Sequence, residues 1–183
     1  KVIGVQIDAI ERGEDRNAFK ATMASLGIEM ARSEVAYSVD DAVAIAERLG
    51  YPCVLRPAYT MGGTGGGLVF DEEEVRTVVA RGLQASPVHE VLVEESVLGW
   101  EELELEVVRD SKGQMITVCF IENIDPMGVH TGDSITVAPA QTLSDIEYQR
   151  MRVASLAILE KIGVETGGSN VQFALNPKDG RLI

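Results

Sequence analysis

Residues 56–67 read Arg56-Pro57-Ala58-Tyr59-Thr60-Met61-Gly62-Gly63-Thr64-Gly65-Gly66-Gly67, and apolar segments flank them at 53–55 and 68–70. This pattern predicts a β-hairpin whose tip carries few side chains. Glycine leaves backbone N–H groups open to an anion, because no Cβ blocks positive φ or close contact. Arg56 adds a planar, permanently charged group that suits phosphate. We expect this loop to cover a polyphosphate; the alternative is a glycine-rich turn without a ligand.

Two common phosphate-binding motifs do not fit this loop. A P-loop would place Lys after Gly67, where Leu68 stands. The dinucleotide pattern G-x-G-x-x-G, started at Gly63 or Gly65, ends on Leu68 or Phe70. Both motifs also open a helix directly after the loop, whereas a strand-like segment follows here. If the loop covers a phosphate, it therefore belongs to another class of phosphate-binding structure.

The bulk composition limits the classes of function. The chain has 183 residues, of which 45% are hydrophobic, as in ordinary globular domains. Its net charge of −13 argues against nucleic acid, whose phosphate backbone needs clustered Lys and Arg, but not against ATP, whose phosphates meet local charges and metal ions. No membrane-spanning run or signal peptide is recognisable. Cys53 and Cys119 lie in apolar segments, which favours buried thiols in a reducing cytoplasm. His89 and His130 are too few for a histidine-rich metal site.

The hydrophobic pattern predicts alternating helices and strands. Three helices have capping signals at their starts, at Ser38 with Asp41, at Asp71 with Glu74 and at Ser144 with Glu147. Strands are predicted at 53–55, 68–70, 91–95, 103–108, 116–121 and 171–175. Along 102–107 acidic and aliphatic residues alternate, which predicts a strand with Glu102, Glu104 and Glu106 on a solvated face.

The loop at 56–67 resembles the nucleotide-covering loop of ATP-grasp enzymes. Four further segments narrow the resemblance to the first synthetase half of the carbamoyl-phosphate synthase large subunit, at 14–16, 95–102, 127–134 and 165–173. The resemblance covers essentially the whole chain. It implies an α+β fold that is part of an ATP-grasp domain. Residues 1–26 would end a preceding subdomain and linker, 27–97 would form the lid subdomain, and 98–183 would belong to the second subdomain.

We also expect the chain to be a fragment of a longer polypeptide. Residues 180–183 have the pattern of a turn followed by the start of a strand. Residues 2–5 begin with no helix or strand pattern before them. In the resembled family that strand continues to a glutamate and an asparagine that bind magnesium.

The resemblance assigns phosphate contacts to Arg16, Arg56, Gly62 and Gly63, with a catalytic role for Arg56 as well. The residues alone leave other interpretations open. Arg16 could be a solvated charge near a helix start. Arg56 could be held in a buried salt bridge, because an unpaired guanidinium leaving a buried strand would be costly.

Glu95, Val97 and Glu102 resemble the segment that binds the base and ribose of the nucleotide. Adenine is recognised by backbone N–H and C=O groups, and a carboxylate can accept hydrogen bonds from ribose hydroxyls. Val97 would therefore act through its backbone. Glu102 fits the solvated face of its strand equally well, and the resemblance favours ribose.

Gly128, Val129 and His130 form a second glycine-bearing turn, which resembles the nucleotide or acyl-phosphate site of the family. A histidine near phosphate can donate a hydrogen bond and, when charged, neutralise negative charge. The resemblance implies a catalytic role for His130, supported by Thr131 and Asp133. A single histidine in a loop is also compatible with a solvated polar group.

Gln172 is implied to bind magnesium or manganese through its side-chain oxygen. Asn170 lies on the same face of the predicted strand and is implied to assist catalysis. One amide oxygen cannot hold the ion alone, since magnesium needs several oxygen ligands. We therefore expect the isolated chain to bind metal poorly and to be inactive.

The resemblance implies a glutamine-hydrolysing ligase of arginine and pyrimidine biosynthesis. Bicarbonate would attack the γ-phosphate of ATP, giving carboxyphosphate and ADP, and ammonia would then give carbamate. The implied partners are ATP, bicarbonate, a glutaminase small subunit and the rest of the large subunit, without nucleic acid or membrane.

Two alternatives remain at this point. Another ATP-grasp ligase, such as a biotin-dependent carboxylase subunit, would share the loop, although the segments through Trp100 and at 130–134 argue against it. A nucleotide-binding module without catalysis is the other.

Overall fold

The computed structural model describes residues 4–60, 64–129 and 133–183. The chain folds into two compact units, one formed by Ala31–Ser96 and the other by Lys1–Met30 together with Val97–Ile183. The helices are α1 (Ile7–Glu14), α2 (Arg16–Ser25), α3 (Val39–Leu49), α4 (Glu72–Ala85) and α5 (Asp145–Ile162). The strands are β1 (Ser33–Ala36), β2 (Cys53–Pro57), β3 (Gly67–Val69), β4 (Val91–Glu95), β5 (Glu101–Arg109), β6 (Met115–Asn123), β7 (Thr136–Val137) and β8 (Gly167–Leu175).

The unit Ala31–Ser96 contains a four-stranded sheet in the order β1-β4-β2-β3, and each neighbouring pair is antiparallel. Helices α3 and α4 pack on this sheet and bury an aliphatic core. Strands β2 and β3 form the predicted hairpin, with Cys53 opposite Val69 and Leu55 opposite Gly67. Because alternate residues of a strand face opposite sides, Cys53 and Leu55 lie in the core and Arg56 lies on the other face.

The second unit contains an antiparallel sheet in the order β7-β6-β5-β8. Helix α5 packs on it, and α1 and α2 contact α5. Leu103, Leu105 and Val107 of the central strand β5 have no exposed surface. The aliphatic half of the predicted alternation therefore forms the core of this unit.

All three predicted helix starts are confirmed by their capping hydrogen bonds. The Ser38 side chain accepts from the Asp41 N–H, and the Asp71 side chain accepts from the Glu74 N–H. Helix α5 begins with a complete capping box. Its end at Gly163 is a left-handed C-cap, as glycine favours. Capping signals are local, which explains why the sequence was sufficient.

The prediction of a solvated face on β5 is wrong for Glu102, which is only 3% exposed. Glu104 and Glu106 are half-buried. The physical reason is that β5 is a central strand, so side chains of β6 and β8 cover it from both sides.

Cys53 is buried, as predicted, and Cys119 is half-buried; both are free thiols. Burial raises the pKa of the Cys53 thiol, in keeping with an unreactive core residue. Among the residues that the structure describes, no helix combines the length and apolar character needed to cross a bilayer.

Candidate functional site

The described part of the glycine-rich hairpin presents main chain at Gly65, Gly66 and Gly67, beside the exposed side chains of Tyr59 and Thr64. Gly65 has a φ of 78°, in the left-handed region that glycine adopts without strain. A Cβ on Gly66 would overlap the carbonyl oxygen of Leu55 and lie 3.0 Å from Pro57 Cδ. The return of the hairpin to β3 therefore requires glycine. The predicted phosphate contacts Gly62 and Gly63 lie outside the described residues.

Arg56 stands at the entrance of this hairpin with a side chain that is 50% exposed. Its Nη2 atom lies 3.1 Å from Oε1 of Glu94 on the neighbouring strand. The salt bridge considered from the sequence exists, but it is not buried. Such an exposed pair contributes at most about 1 kcal/mol, so the guanidinium can reach an anion at low cost.

Glu95 ends β4, and its carboxylate is occupied by Arg32. Oε1 accepts from the Arg32 N–H at 2.7 Å, and Oε2 accepts from Arg32 Nε at 2.8 Å. This side chain is only 9% exposed. The carboxylate therefore has a structural partner. A contact between Glu95 and a nucleotide, as predicted, would have to come from its main chain.

Val97 begins a tight turn, residues 97–100, which we call the hinge turn. The Val97 carbonyl accepts from the Trp100 N–H at 3.0 Å. Two further bonds hold the turn, from the Gly99 N–H to the Met127 carbonyl at 3.0 Å and from the Met127 N–H to the Trp100 carbonyl at 2.8 Å. The Val97 N–H donates to no group in the described parts of the chain. It is thus a fixed donor without a partner there, as a backbone contact with a base requires.

The turn at Gly128 packs directly on the hinge turn. Gly128 has a φ of 111°, and a Cβ there would overlap the Leu98 side chain. Val129 follows with 39% exposure. The structure therefore brings together two segments that the sequence only suggested to be neighbours. The predicted His130 and its neighbour Thr131 lie outside the described residues.

Polar side chains share one face of the second sheet, which we call the acidic face: Glu102, Glu104, Glu106, Asn123, Asn170 and Gln172. Gln172 Nε2 donates to the buried Glu102 carboxylate. Asn170 Nδ2 donates to Glu104 and to Glu106, each at 2.8 Å. These amides use their N–H groups on carboxylates, and their oxygens remain as acceptors.

Asn123 was missed by the sequence analysis. It is 5% exposed, and its Nδ2 donates to Glu104 at 2.9 Å. Its Oδ1 atom is buried and has no hydrogen-bond partner among the described residues. An unpaired buried oxygen is costly, so it marks a position where a further group would be stabilised. Alternate residues of a strand face the same side. Extending this alternation of β6 to Asn123, which lies opposite Glu102, could have placed Asn123 on the acidic face.

The donors of the acidic face fit a hard cation, since they are carboxylate and carboxamide oxygens. In residues 4–60, 64–129 and 133–183, no three His, Cys, Asp or Glu side chains are arranged to hold a metal ion. A cation at this face would therefore need phosphate or water ligands of its own.

Arg16 is the first residue of α2 and is exposed, so it does lie at a helix start. The N-cap is Asp15, whose Oδ1 accepts from the Ala18 N–H at 2.7 Å. Arg16 forms no salt bridge with another described residue. Its guanidinium is accessible to an external anion.

Glu122, in the same unit, is a carboxylate with a structural role. It accepts from Thr142 Oγ1 at 2.7 Å and from the N–H groups of Gln141 and Thr142 at 2.8 and 3.2 Å. Burial acts to raise the pKa of Glu122, but these hydrogen bonds outweigh it and lower the pKa.

The backbone is similar to three solved structures. Biotin carboxylase from Campylobacter jejuni, in a β-γ-ATP complex, has a TM-score of 0.82 at 19% identity, over 98% of this chain and 41% of that chain. D-alanyl-alanine synthetase A from Vibrio cholerae has 0.81 at 17% identity, over 98% and 56%. The biotin carboxylase domain of Hydrogenobacter thermophilus 2-oxoglutarate carboxylase, solved with MgADP, ADP and bicarbonate, has 0.77 at 20% identity, over 98% and 40%. These are ATP-grasp proteins, so the fold is a partial ATP-grasp fold of the predicted α+β class.

Sequence relatives are more specific. Residues 15–183 match the family described as Carbamoyl-phosphate synthase L chain, ATP binding domain. The chain is 59% identical over 183 residues to the carbamoyl phosphate synthase large chain of Myxococcus xanthus and 58% identical to that of Thermotoga maritima. The match covers 100% of this chain but only 17% of the length of each relative. The chain belongs to the ATP-binding domain family of the carbamoyl-phosphate synthase large chain, which confirms the resemblance.

Proposed function

We propose that this chain binds ATP with magnesium and acts in a carbamoyl-phosphate synthase large chain. The observation that carries the proposal is the hairpin with Arg56 exposed at its entrance and glycine required at its return. Exposed main chain beside a guanidinium is suited to a polyphosphate. The membership in an ATP-binding domain family supports the same ligand.

Arg56 and Arg16 are proposed to contact the phosphates, together with the main chain of Gly62 and Gly63. Both arginines are exposed, which leaves their N–H groups accessible. His130 is proposed to donate to the phosphoryl group that is transferred. Phosphoryl transfer needs mainly positioning and neutralisation of charge, so no nucleophilic side chain is required.

The hinge turn is proposed to bind the base through the Val97 N–H, with main-chain support from Glu95, Gly128 and Val129. Glu102 is proposed to accept from the ribose hydroxyls. Its carboxylate lies at the buried end of the acidic face, where a charge-assisted hydrogen bond is strong.

Gln172 is proposed to contribute its side-chain oxygen to magnesium or manganese, and Asn170 to assist from the same face. Bound to ATP, the ion would neutralise charge on the phosphates. Gln172 needs only to keep its amide oriented, and the hydrogen bond from its Nε2 to Glu102 does so.

The proposed reaction is attack of bicarbonate on the γ-phosphate of ATP, which gives carboxyphosphate and ADP. Ammonia then attacks the carboxyl carbon of carboxyphosphate, which gives carbamate and releases inorganic phosphate. A glutaminase subunit and the rest of the large chain are the proposed partners, and the cytoplasm is the proposed location. We also propose that residues 1–26 end a preceding subdomain and linker. Residues 27–97 would form the lid subdomain, and residues 98–183 would belong to the second subdomain. A fold relative that was solved with MgADP and bicarbonate supports the two substrates.

The experiment is calorimetric titration of the 183-residue chain with magnesium ADP. Saturable binding is expected, and its absence would contradict nucleotide binding by this chain. Bicarbonate-dependent ATP hydrolysis by the full large chain would then distinguish an enzyme from a nucleotide-binding module without catalysis. Stimulation that requires biotin would instead support a biotin-dependent carboxylase.

A further inference from the structure

We infer that Gly82, inside helix α4, is a positioning residue for the glycine-rich hairpin. This inference rests on the proposed function, because it concerns how the phosphate-covering loop is held. Gly82 is buried and lies in the last part of α4, where Ala would normally be the better helix former. Gly82 belongs to none of the segments that suggested a phosphate site.

The reason for glycine at this position is the close approach of the hairpin. A Cβ on Gly82 would lie 3.0 Å from Val91 Cγ2, 3.1 Å from the Gly65 carbonyl oxygen and 3.1 Å from Pro57 Cγ. Conversely, a Cβ on Gly65 would lie 3.1 Å from Ala85 Cβ and 3.3 Å from Gly82 Cα. The main chain of the hairpin therefore rests on the main chain of α4, without side chains to separate them.

The three neighbours of Gly82 differ in how easily they can move. Val91 is fully buried in the core, and Pro57 is a buried residue of β2. Gly65 is neither in a strand nor carries a side chain that could hold it. A methyl group on Gly82 would therefore displace the Gly65 carbonyl before it displaced the core, because packed interiors resist movement.

Displacing Gly65 matters because the hairpin is proposed to bind phosphate with its main chain. A backbone N–H contributes to such a site only when it is aimed at the anion, and small misplacements weaken binding strongly. Gly82 itself touches no ligand in this proposal. Its effect should therefore fall on the phosphates and spare the base and ribose.

The experiment compares Gly82→Ala with the parent chain by amide hydrogen exchange and by calorimetry. Exchange of the β3 amides at 67–69 that the ladder with β2 protects should accelerate about ten-fold or more, while exchange in β4 stays unchanged. Affinity for magnesium ADP should fall about ten-fold, as for a lost hydrogen bond to a charged group. Affinity for adenosine should change less than about two-fold, because adenosine carries no phosphate.

Two control variants separate loop positioning from helix stability. Ala80→Gly weakens the same helix at an exposed position, and Gly13→Ala adds a methyl group to α1 where nothing lies within 4 Å. Neither should change exchange at 67–69 or the ratio of ADP to adenosine affinity. If Gly82→Ala does not fold, Val91→Ala is added, which removes the nearest core atom and leaves Gly65 and Pro57 as the crowded neighbours.

Unchanged exchange at 67–69 in Gly82→Ala would overturn the inference. So would equal effects in Ala80→Gly, because they would show general weakening of the helix. If the parent chain binds no nucleotide, the proposed function fails, but the exchange comparison still decides whether Gly82 positions the loop.

Discussion

The glycine-rich hairpin and the acidic face, the two proposed binding surfaces, are built in opposite ways. At Gly65 and Gly66 the hairpin has no side chains, which lets main chain pack on main chain. On the acidic face, amides from β6 and β8 order the glutamates of β5 through hydrogen bonds. An absent side chain is visible in the sequence, whereas a bond between strands far apart in the chain is not. This difference explains why the hairpin was predicted and the burial of Glu102 was not.

The largest expected effect tests the hairpin. Gly66→Ala places a methyl group against the Leu55 carbonyl oxygen, within the main chain of a buried strand. We expect the free energy of unfolding to fall by about 3 kcal/mol, the upper range for overpacking. Chemical denaturation measures it. Gly67→Ala, with nothing within 4 Å, is the control and should change stability by less than about 0.5 kcal/mol. Equal stability of the two variants would show that the hairpin tolerates side chains.

Arg56→Ala tests the side chain at the entrance of the hairpin, which is proposed to contact the phosphates. Binding of magnesium ADP should weaken by about 1.5–3 kcal/mol, the value of a charge-assisted hydrogen bond. Titration calorimetry measures the loss. Glu94→Gln removes the partner of Arg56 without removing the guanidinium, so it should not weaken nucleotide binding. If Arg56→Ala binds as the parent does, Arg56 serves only the salt bridge.

Glu102→Gln tests the acidic face. We expect affinity for magnesium ADP to fall by about 1 kcal/mol, because a neutral amide accepts ribose hydrogen bonds less strongly than a carboxylate does. The preference for ADP over 2′-deoxy-ADP should shrink in the same variant. Glu106→Gln, a half-buried glutamate of the same face, is the matched control. A ribose preference that survives Glu102→Gln would leave Glu102 a structural residue.

Thr142→Val has the smallest expected effect. It tests Glu122, the carboxylate with a structural role, for comparison with the glutamates of the acidic face. The pKa of Glu122 is lower in the folded than in the unfolded chain, so its stabilisation is present above its ordinary value of 4.5. That stabilisation is lost as the pH falls through the folded-state pKa. The variant should lose about 1 kcal/mol of stability at pH 7 and less in acid. Thr142→Ser, which keeps the hydroxyl, should restore it. A difference independent of pH would point to packing alone.

Only part of the site could be predicted, and particular residues show why. Helices α3, α4 and α5 were found because Ser38, Asp71 and Ser144 act on N–H groups three residues away. Strands β1 and β7 were not predicted, since four and two residues are too short for a period to show. The pairing of Glu95 with Arg32 joins residues 63 apart, which no local pattern reveals.

The sequence by itself determined the family, the hairpin, the capped helices and the buried side of β5, because these depend on local residue type and period. Tertiary structure alone decided which carboxylates are buried and which arginines are exposed. It also decided that Glu95 is held by Arg32, that the Asn123 Oδ1 atom has no hydrogen-bond partner among the described residues, and that Gly82 packs against the loop. Each of these depends on which residues distant in the chain become neighbours, and burial and hydrogen bonding are properties of those neighbours.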